Sequence, residues 1–411
     1  MDESSSTFVD ERIRKMPTGY ADLPNHILLN IFNHITENDL SRVGLVCKNW
    51  RQVSSSPELW KTFRATRDMS ETYIRERIQK FTKLKSLFLI SVEDVVIEDV
   101  AKNLTNLTSL TIRHSTPSEE VLCLVVANCR QLQRLDIKGC KFTSSVFFHD
   151  LAKLPNLKAV NVGDNYHMNL YHLFTICTKC TDLEELHLIG FNPGKETFED
   201  MDCRFIFTYL HHLKRIYLDA LDLTDYTFRT ICDIGDLEGF GYYCAENLTA
   251  NALMSLGPRM ARMKVLKIRE ACQLLSTDLI SFFSTNKSPN LEELDLMCAD
   301  LTNQCLKIIV ANCPLLKKLI LRSCKRITDL AQLLKALKHL EMLNVAFCDQ
   351  LLLNFERPST LRILFLGNDD GSLKFARELQ MSHQDLLIRI CISEDNKKWK
   401  PFKSDKVDDY R

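Results

Sequence analysis

Cysteine and histidine are the side chains of this sequence whose spacing comes nearest to reactive or metal-binding chemistry. Cys177 and Cys180 form the CxxC pair of "CTKC", five residues after His172. Thiolates and imidazoles at such spacing are zinc ligands in proteins. However, no second CxxC or HxxxH pair follows, and the 16 cysteines are spread along the chain. Buried free thiols that pack as small apolar groups explain this spread better than a metal site does.

The remaining composition favours a binding protein over an enzyme. The chain has only 12 glycines and shows no phosphate-binding glycine loop, paired carboxylates or Ser-His-Asp arrangement. Its 53 lysines and arginines balance 53 aspartates and glutamates, whereas a general nucleic-acid binder has a basic excess. No apolar run reaches the roughly 18 residues of a membrane helix, and the polar start lacks a signal peptide. We therefore expect a soluble protein of the cytoplasm, the nucleus or both, without catalytic residues, metal, cofactor, nucleic acid or membrane.

An internal repeat determines the elements around these residues. Twelve segments between residues 84 and 366 share the apolar pattern LxxLxL, at steps of 21 to 30 residues. Their first apolar residues are Leu84, Leu107, Leu132, Leu157, Leu183, Leu213, Leu237, Met263, Leu291, Leu316, Leu340 and Leu361. In "LQRLDIKGC", Leu135 and Ile137 alternate with polar residues, which predicts a short strand with one buried face. Several repeats have a serine or threonine 11 to 13 residues after the first apolar residue, which predicts that a helix follows each strand.

This pattern resembles the leucine-rich repeat in its cysteine-containing variety. The resemblance implies an α/β solenoid of about 12 repeats, with parallel strands on its concave face. It also accounts for many cysteines, since Cys129, Cys180 and Cys313 each lie three residues before the first leucine of a repeat. Cys180 thus occupies a packing position, which argues against the zinc site.

A different apolar pattern lies before the repeats, in residues 23–60. Apolar residues at helical spacing predict three short helices, which begin at Pro24, near residue 38 or 39, and at Pro57. Two of the chain's three tryptophans, Trp50 and Trp60, fall within them. Three short helices this apolar have more nonpolar surface than one small bundle buries, which indicates a partner protein.

This segment resembles an F-box. The pairs Leu23-Pro24, Ile31-Phe32, Asp39-Leu40, Val46-Cys47, Trp50-Arg51 and Leu59-Trp60 match that family's pattern. The resemblance implies that a Skp-family adaptor is bound by Leu23, Pro24, Ile27, Ile31, Phe32, Leu40, Val43, Val46, Cys47, Trp50, Leu59 and Trp60. The alternative is a small helical cap whose tryptophans only seal the end of the solenoid.

The two resemblances together divide the chain. We predict a disordered N-terminus at 1–17, the F-box at 18–64, a helical linker and N-terminal cap at 65–83, the repeat array at 84–366, and a C-terminal cap with a polar tail at 367–411. This combination is similar to the F-box and leucine-rich-repeat family. The similarity implies a non-catalytic substrate receptor of an SCF-type ubiquitin ligase, joined to cullin and RING subunits through the adaptor. A leucine-rich-repeat scaffold or inhibitor outside the ubiquitin system is the alternative.

The outward strand positions are where we expect a protein substrate to bind. Arg215, Tyr217, Tyr243, Lys267 and Arg269 place aromatic and cationic groups on neighbouring repeats, a composition typical of an interface centre. They alternate with inward apolar residues, so we predict that they point away from the core and that replacing them leaves stability nearly unchanged. The alternative is a solvated face of mixed charge.

Overall fold

The computed structural model of the protein describes residues 23–141, 146–165, 168–191, 197–392 and 399–401. The predicted disorder of residues 1–17 lies outside these ranges. The chain divides into two compact units, Met1–Arg134 and Leu135–Arg411. Both contain short strands that alternate with helices, which confirms the predicted α/β leucine-rich-repeat class.

The first unit begins with three short helices and continues as an alternation of strands and helices. Its elements are α1 (Asn25–Phe32), α2 (Glu37–Val43), α3 (Lys48–Ser54), β1 (Thr62–Arg64), α4 (Glu71–Lys80), β2 (Ser86–Ile90), α5 (Asp94–Asn103), β3 (Ser109–Arg113) and α6 (Glu119–Asn128). Strands β1, β2 and β3 pair in parallel, with Phe63 opposite Leu87 and Leu87 opposite Leu110. The next strand, β4 (Arg134–Asp136), spans the boundary of the two units.

The second unit continues the same alternation. Its elements are α7 (Val146–Leu151), β5 (Ala159–Asn161), α8 (Leu170–Lys179), β6 (Glu185–Leu188), α9 (Asp200–Tyr209), β7 (Arg215–Asp219), α10 (Asp225–Cys232), β8 (Gly239–Tyr243), α11 (Ala250–Met254), β9 (Val265–Ile268), α12 (Ser276–Thr285), β10 (Glu293–Asp295), α13 (Asn303–Asn312), β11 (Lys318–Ile320), α14 (Ala331–Ala336), β12 (Met342–Asn344), β13 (Ile363–Leu366), α15 (Asp370–Ser382), β14 (Leu387–Cys391) and β15 (Trp399–Pro401). From β5 to β14 each strand pairs in parallel with the next one along the chain, and β15 pairs antiparallel with β14.

The strands lie where the repeat predicts them. Each of the twelve strands from β2 to β13 begins two residues after the first apolar residue of its repeat. The inward positions of β6 to β10 form one continuous row, since the register pairs Leu186, Ile216, Phe240, Leu266 and Leu294 in turn. All five side chains are 0% exposed. Burying a side chain of this kind contributes about 1.5–3 kcal/mol, so the row fixes which face of each strand turns inward.

A left-handed turn follows most of these strands, which the apolar pattern did not reveal. The eighth residue of a repeat has a positive φ at Ser91, His114, Gly139, Asp164, Gly190, Cys244, Glu270, Cys298, Ser323 and Phe347. At Gly190 a Cβ atom would lie 1.8 Å from Asp164 Oδ1, so a larger residue there would have to displace the Asp164 carboxylate. Elsewhere the strain is offset by hydrogen bonds to the next repeat, such as the bond from Cys298 N to Arg322 O at 2.9 Å.

Two predictions about the N-terminal helices are wrong. The second predicted helix is interrupted between α2 and α3, where Cys47 accepts a hydrogen bond from Trp50 N at 3.4 Å and caps a new helix. The helix predicted from Pro57 is only a turn, closed by the bond from Leu59 N to Ser56 O at 3.2 Å. The chain enters β1 immediately afterwards, which leaves too few residues for a helix.

The strand pairing extends beyond residues 84–366 at both ends. β1 precedes the first predicted strand, and β14 follows the last one within the predicted C-terminal cap. In β14, Ile388 and Ile390 are buried, so this segment repeats the inward apolar pattern. The expected helix is absent between β12 and β13, because this repeat is the shortest, at 21 residues, and contains Pro358.

Candidate functional site

The N-terminal helical segment, residues 23–60, has its own small hydrophobic core. Leu28, Phe32, Leu40, Val53 and Leu59 are each at most 6% exposed and pack together. Phe32, Leu40 and Leu59 are among the predicted adaptor contacts. Because their burial leaves them no surface for a partner, we reassign these three residues to the core that holds the helices together.

One face of α1 carries apolar side chains that this core leaves exposed. Ile27 is 37% and Ile31 is 46% exposed, and Pro24 is exposed just before them. Their spacing places the three residues on one side of the helix. Leu45, in the turn between α2 and α3, is 76% exposed, and the sequence analysis did not select it because its motif pairs omit this position. Apolar surface of this kind on a small helical segment is typical of a docking site.

The two tryptophans of this segment have different roles. Trp50 is half-buried and meets the ring of Phe32 edge-on, with 5.3 Å between the ring centroids. Trp60 stacks on the fully buried Phe81, which follows α4, at 4.8 Å and 11° between the rings. Its indole Nε1 also donates a hydrogen bond to Ser54 O at 2.8 Å. Trp60 therefore attaches the segment to α4, which is the role that the alternative of a helical cap predicts for a tryptophan. Trp50 instead completes the segment's core.

The remaining predicted adaptor contacts are half-buried. Leu23 and Val43 pack against the core of the segment. Val46 lies in the turn before α3, and Cys47 caps that helix through its sulfur. The adaptor contact of these four residues stays a prediction.

The five residues predicted to bind a substrate come together on the outward side of β7, β8 and the end of β9. Tyr217 and Tyr243 point away from the core as the alternation predicts, yet they are only 6% and 9% exposed. The cause is Gly241, which lies opposite Tyr217 on β8 and two residues before Tyr243. A Cβ atom at Gly241 would lie 2.5 Å from Tyr217 Cδ1 and 2.9 Å from Tyr243 Cε2, so the rings occupy the space of the missing side chain. Burial raises the pKa of both phenols well above the usual range.

Neighbouring side chains cover the two rings. His187 stacks on Tyr217 with 4.3 Å between centroids and 20° between planes. Lys267 Nζ lies 5.6 Å from the Tyr217 centroid, and Arg269 Cζ lies 4.6 Å from that of Tyr243. A cation–π contact contributes about 0.5–2 kcal/mol. The patch is therefore a packed second layer over the sheet, whereas the sequence predicted only that these side chains point away from the core.

Every cation of this patch has a carboxylate partner. The pairs are Arg215 with Glu185 at 2.9 Å, Lys267 with Glu293 at 2.5 Å, and Arg269 with Asp295 at 2.5 Å. Asp295 is 0% exposed, and its second oxygen accepts a hydrogen bond from Met297 N at 3.2 Å. Burial opposes the charge of Arg269, but Asp295 raises the pKa of the guanidinium overall. Because these contacts are internal, we now expect that replacing the patch destabilises the fold, in contrast to the prediction from the sequence.

A ladder of alternating charge runs beside the patch, at the second position of successive repeats. Its members are Lys158, Glu184, Lys214, Glu238, Lys264, Glu292 and Lys317. The ion pairs are Lys158 with Glu184 at 2.9 Å, Lys214 with Glu184 at 3.0 Å, Lys264 with Glu238 at 2.9 Å, and Lys317 with Glu292 at 2.9 Å. Each exposed pair contributes at most about 1 kcal/mol. The sequence contains this ladder, because the charge of the second residue changes sign from one repeat to the next. Finding it requires the repeats to be aligned with one another.

The cysteines lie mostly in the core. Cys348 Sγ donates to Leu321 O of the preceding repeat at 3.1 Å, and Cys324 Sγ donates to Leu296 O at 3.2 Å. Burial raises the pKa of Cys180 to about 11, so its thiol is protonated near neutral pH. In the part of the chain that the structure describes, no three His, Cys, Asp or Glu side chains are placed to hold a metal ion. Among the described helices, none combines the length and apolar character needed to cross a membrane.

Comparison with known proteins places the N-terminal segment in a family. A family model described as F-box-like matches residues 20–66. F-box/LRR-repeat protein 21 of Mus musculus is 27% identical over 148 residues, which are 35% of this chain and 30% of that protein. Putative F-box/LRR-repeat protein 22 of Arabidopsis thaliana is 25% identical over 185 residues, 43% of this chain and 52% of that protein. The matched region therefore spans about a third of the mouse relative and about half of the plant one.

A solved structure shares the fold. A chain in the crystal structure of the Rad7 and Elc1 complex in yeast aligns with a TM-score of 0.59 and covers 84% of this chain and 89% of its own length. It is 16% identical, a level at which the comparison shows likeness of fold alone.

Proposed function

We propose that this chain, which is an F-box and leucine-rich-repeat protein, is the substrate-recognition subunit of an SCF-type ubiquitin ligase. In this proposal the N-terminal helical segment binds a Skp-family adaptor, and through it the cullin and RING subunits. The repeats bind a protein substrate, which is ubiquitinated and degraded. The complex works in the cytoplasm, the nucleus or both.

The observation that carries the proposal is the exposed apolar face of α1 within the residues that match the F-box-like model. Ile27 and Ile31 remain 37% and 46% exposed although a hydrophobic core lies on the other side of the same helix. A partner protein would remove this surface from water, which favours binding by about 25 cal/mol per Å² of apolar area. In yeast, a chain of the same fold belongs to a protein complex, that of Rad7 and Elc1.

The contribution of such a subunit to the reaction is positional. Holding a substrate lysine beside a ubiquitin-charged enzyme converts a bimolecular attack into an effectively intramolecular one. No side chain of this chain needs to take part in the chemistry. The proposal therefore assigns no catalytic residue and no cofactor.

The proposed substrate surface is the outward patch of Arg215, Tyr217, Tyr243, Lys267 and Arg269. The exposed fraction of the side chain is 29% for Arg215, 19% for Lys267 and 21% for Arg269. A ligand would therefore contact mainly the charged ends of these side chains, which are held in a rigid layer. A surface held in place by internal ion pairs loses little side-chain entropy on binding, which favours affinity. The ion pairs also reduce its net charge, so we expect recognition by shape and by hydrogen bonds more than by charge.

The proposal is tested by a matched pair of variants of the full chain. Ile31→Asp places a charge on the α1 face, whereas Leu124→Asp places one on α6 at a residue of similar exposure, 46% against 41%. We expect Ile31→Asp to weaken binding to a purified Skp-family adaptor at least thirtyfold, which corresponds to about 2 kcal/mol. Leu124→Asp should change the affinity less than twofold. Surface plasmon resonance with immobilised adaptor measures both.

Two results would contradict the proposal. Equal loss of adaptor affinity in both variants would mean that the effect is structural, and unchanged binding by Ile31→Asp would remove the α1 face from the interface. Thermal unfolding followed by circular dichroism provides the folding control, since both substitutions replace solvent-exposed side chains.

A further inference from the structure

An arginine from the following repeat closes the end of α10. Arg259 Nε donates to Cys232 O at 2.8 Å. Its Nη1 and Nη2 donate to Gly235 O and Asp233 O, both at 3.4 Å. The last carbonyls of an α-helix have no partner within the helix, and basic side chains often supply one. In this fold a guanidinium is therefore a built-in ligand for the carbonyls at a helix end.

One repeat earlier, the corresponding place is a cavity. Arg259 lies four residues before the first apolar residue of the next repeat, and the residue at that position one repeat earlier is Asp233. The cavity lies between the ends of α9 and α10, encloses about 300 Å³ and is lined by Thr208, His211 and Asp233 among others. Thr208 and His211 hold the repeat positions of two residues whose carbonyls Arg259 binds. The chain thus has an acidic residue and a space where the next repeat has an arginine.

The carbonyls around this cavity are available to a ligand. Among the described residues, no backbone or side-chain group donates to Thr208 O, Tyr209 O or His211 O. Asp233 lines the same cavity, is exposed and has no ion pair in the described part of the chain. Arg204 also lines it, but helical side chains lean toward the start of their helix, which takes its guanidinium away from the carbonyls at the end of α9. The cavity therefore offers acceptors for several hydrogen bonds together with one negative charge.

Exposed aromatic side chains flank the cavity. Phe205 and Tyr209 are 40% and 36% exposed, and their ring centroids lie 5.1 Å apart. Each directly follows a residue that lines the cavity, Arg204 or Thr208. The ring centroid of Phe205 also lies 4.7 Å from that of Phe174 on α8. Exposed apolar surface next to a polar cavity is typical of a site that binds a protein.

We propose that this cavity binds an arginine side chain of a protein partner. A guanidinium is planar and has five N–H donors in a rigid fork, so one group reaches several acceptors, as Arg259 does for three carbonyls. A lysine ammonium is compact and strongly hydrated, which makes it a poorer match. The aromatic rim favours an arginine with apolar neighbours, and the volume, at the lower end of the roughly 300–1,000 Å³ of small-ligand pockets, suits a single side chain. The inference goes beyond the proposed function, and no step of it depends on adaptor binding or on the outward patch.

Ligand-observed NMR by saturation transfer on the full chain tests the proposal with a defined probe. The probe is the acetylated peptide amide Gly-Leu-Arg-Leu-Gly, and two comparison peptides carry lysine or the neutral isostere citrulline in place of arginine. Asp233→Arg supplies the arginine from within the chain, at the position that Arg259 holds in the next repeat. The control, Asp222→Arg, makes the same charge change at an exposed residue outside the cavity. Asp233→Asn takes the place of Asp233→Arg if the latter loses its thermal unfolding transition.

We expect the arginine peptide to bind wild type with a Kd of about 1 mM or tighter, and the lysine and citrulline peptides to bind at least about fivefold more weakly. The variant at Asp233 should weaken binding of the arginine peptide at least about fivefold, whereas Asp222→Arg should change it less than about twofold. The proposal is overturned if the arginine peptide does not bind at about 5 mM, or if the variants at Asp233 and Asp222 lose equal affinity. Equally tight binding of the lysine or the citrulline peptide would also overturn it, because the cavity would then not recognise the guanidinium.

Discussion

The contact between Arg269 and Asp295 gives the sharpest test of how the outward patch is built. Replacing Arg269 with alanine removes a guanidinium that is 21% exposed and leaves a carboxylate that is 0% exposed. The guanidinium donates through both Nε and Nη2 to Asp295 Oδ2, at 2.7 Å and 2.5 Å. Among the described residues, the other hydrogen bond to this carboxylate comes from Met297 N. The change therefore leaves a buried charge with one hydrogen-bond donor.

The expected loss of stability follows from what happens when only one partner of a buried ion pair is removed. Removing one partner of a buried pair costs about 3–5 kcal/mol, because the remaining charge stays desolvated. The bond from Met297 N and the partial exposure of Arg269 place this case at the lower end, about 3 kcal/mol. The loss of the cation–π contact with Tyr243 adds to the same direction. Asp295→Asn in the same chain should recover part of the loss, since a neutral amide needs no counter-charge.

Urea unfolding followed by circular dichroism measures these effects. We expect Arg269→Ala to lower the free energy of unfolding by about 3 kcal/mol, and Arg269→Ala with Asp295→Asn to lower it clearly less. Lys61→Ala, at an exposed residue of the first unit, should stay within about 0.5 kcal/mol. A loss below 0.5 kcal/mol for Arg269→Ala would show that the patch is a solvated surface after all, and the packed-layer interpretation would fail.

Two further predictions concern the same layer. Gly241→Ala should destabilise the fold by about 1–3 kcal/mol, because its Cβ would lie 2.5 Å from Tyr217 Cδ1, whereas Gly235→Ala, with nothing within 4 Å of its Cβ, should not. Equal urea midpoints for these two variants would contradict this reasoning. Burial alone would raise the pKa of Glu293, but Lys267 and Lys318 hold it below the usual value of 4.5. The stability from this carboxyl is thus fully present above pH 4.5 and is lost as the pH falls through the lowered pKa. Glu293→Gln should flatten the acid limb of a stability-against-pH curve, and an unchanged limb would speak against the ion pairs.

The strand positions were predictable because one rule repeats along the chain. Every strand from β2 to β13 starts two residues after a leucine or methionine that the apolar pattern identifies. The pattern also identifies the buried inward residues, because successive side chains of a strand point to opposite faces of the sheet. The apolar pattern does not predict that the helix after β12 is missing. Its absence follows from the short spacing of this repeat and from Pro358.

The candidate site was less predictable because it depends on contacts between repeats. Alternation correctly placed Tyr217 and Tyr243 on the outward side, but their burial follows from Gly239 and Gly241 on β8. In the N-terminal segment, helical spacing identified the apolar residues without separating core from surface. Phe32 belongs to the core and Ile31, beside it in sequence, does not. Such distinctions arise from how three helices pack, which a single sequence pattern does not encode.

The affinity of the full chain for a purified Skp-family adaptor is the measurement that tests the central claim most directly. We expect calorimetry to show a complex of one adaptor per chain with a Kd of about 1 µM or tighter, and the same one-to-one complex to co-elute in gel filtration. The measurement requires no knowledge of the substrate. Absence of binding at 100 µM of both proteins would contradict the account and would favour a leucine-rich-repeat scaffold whose N-terminal helices only cap the repeats.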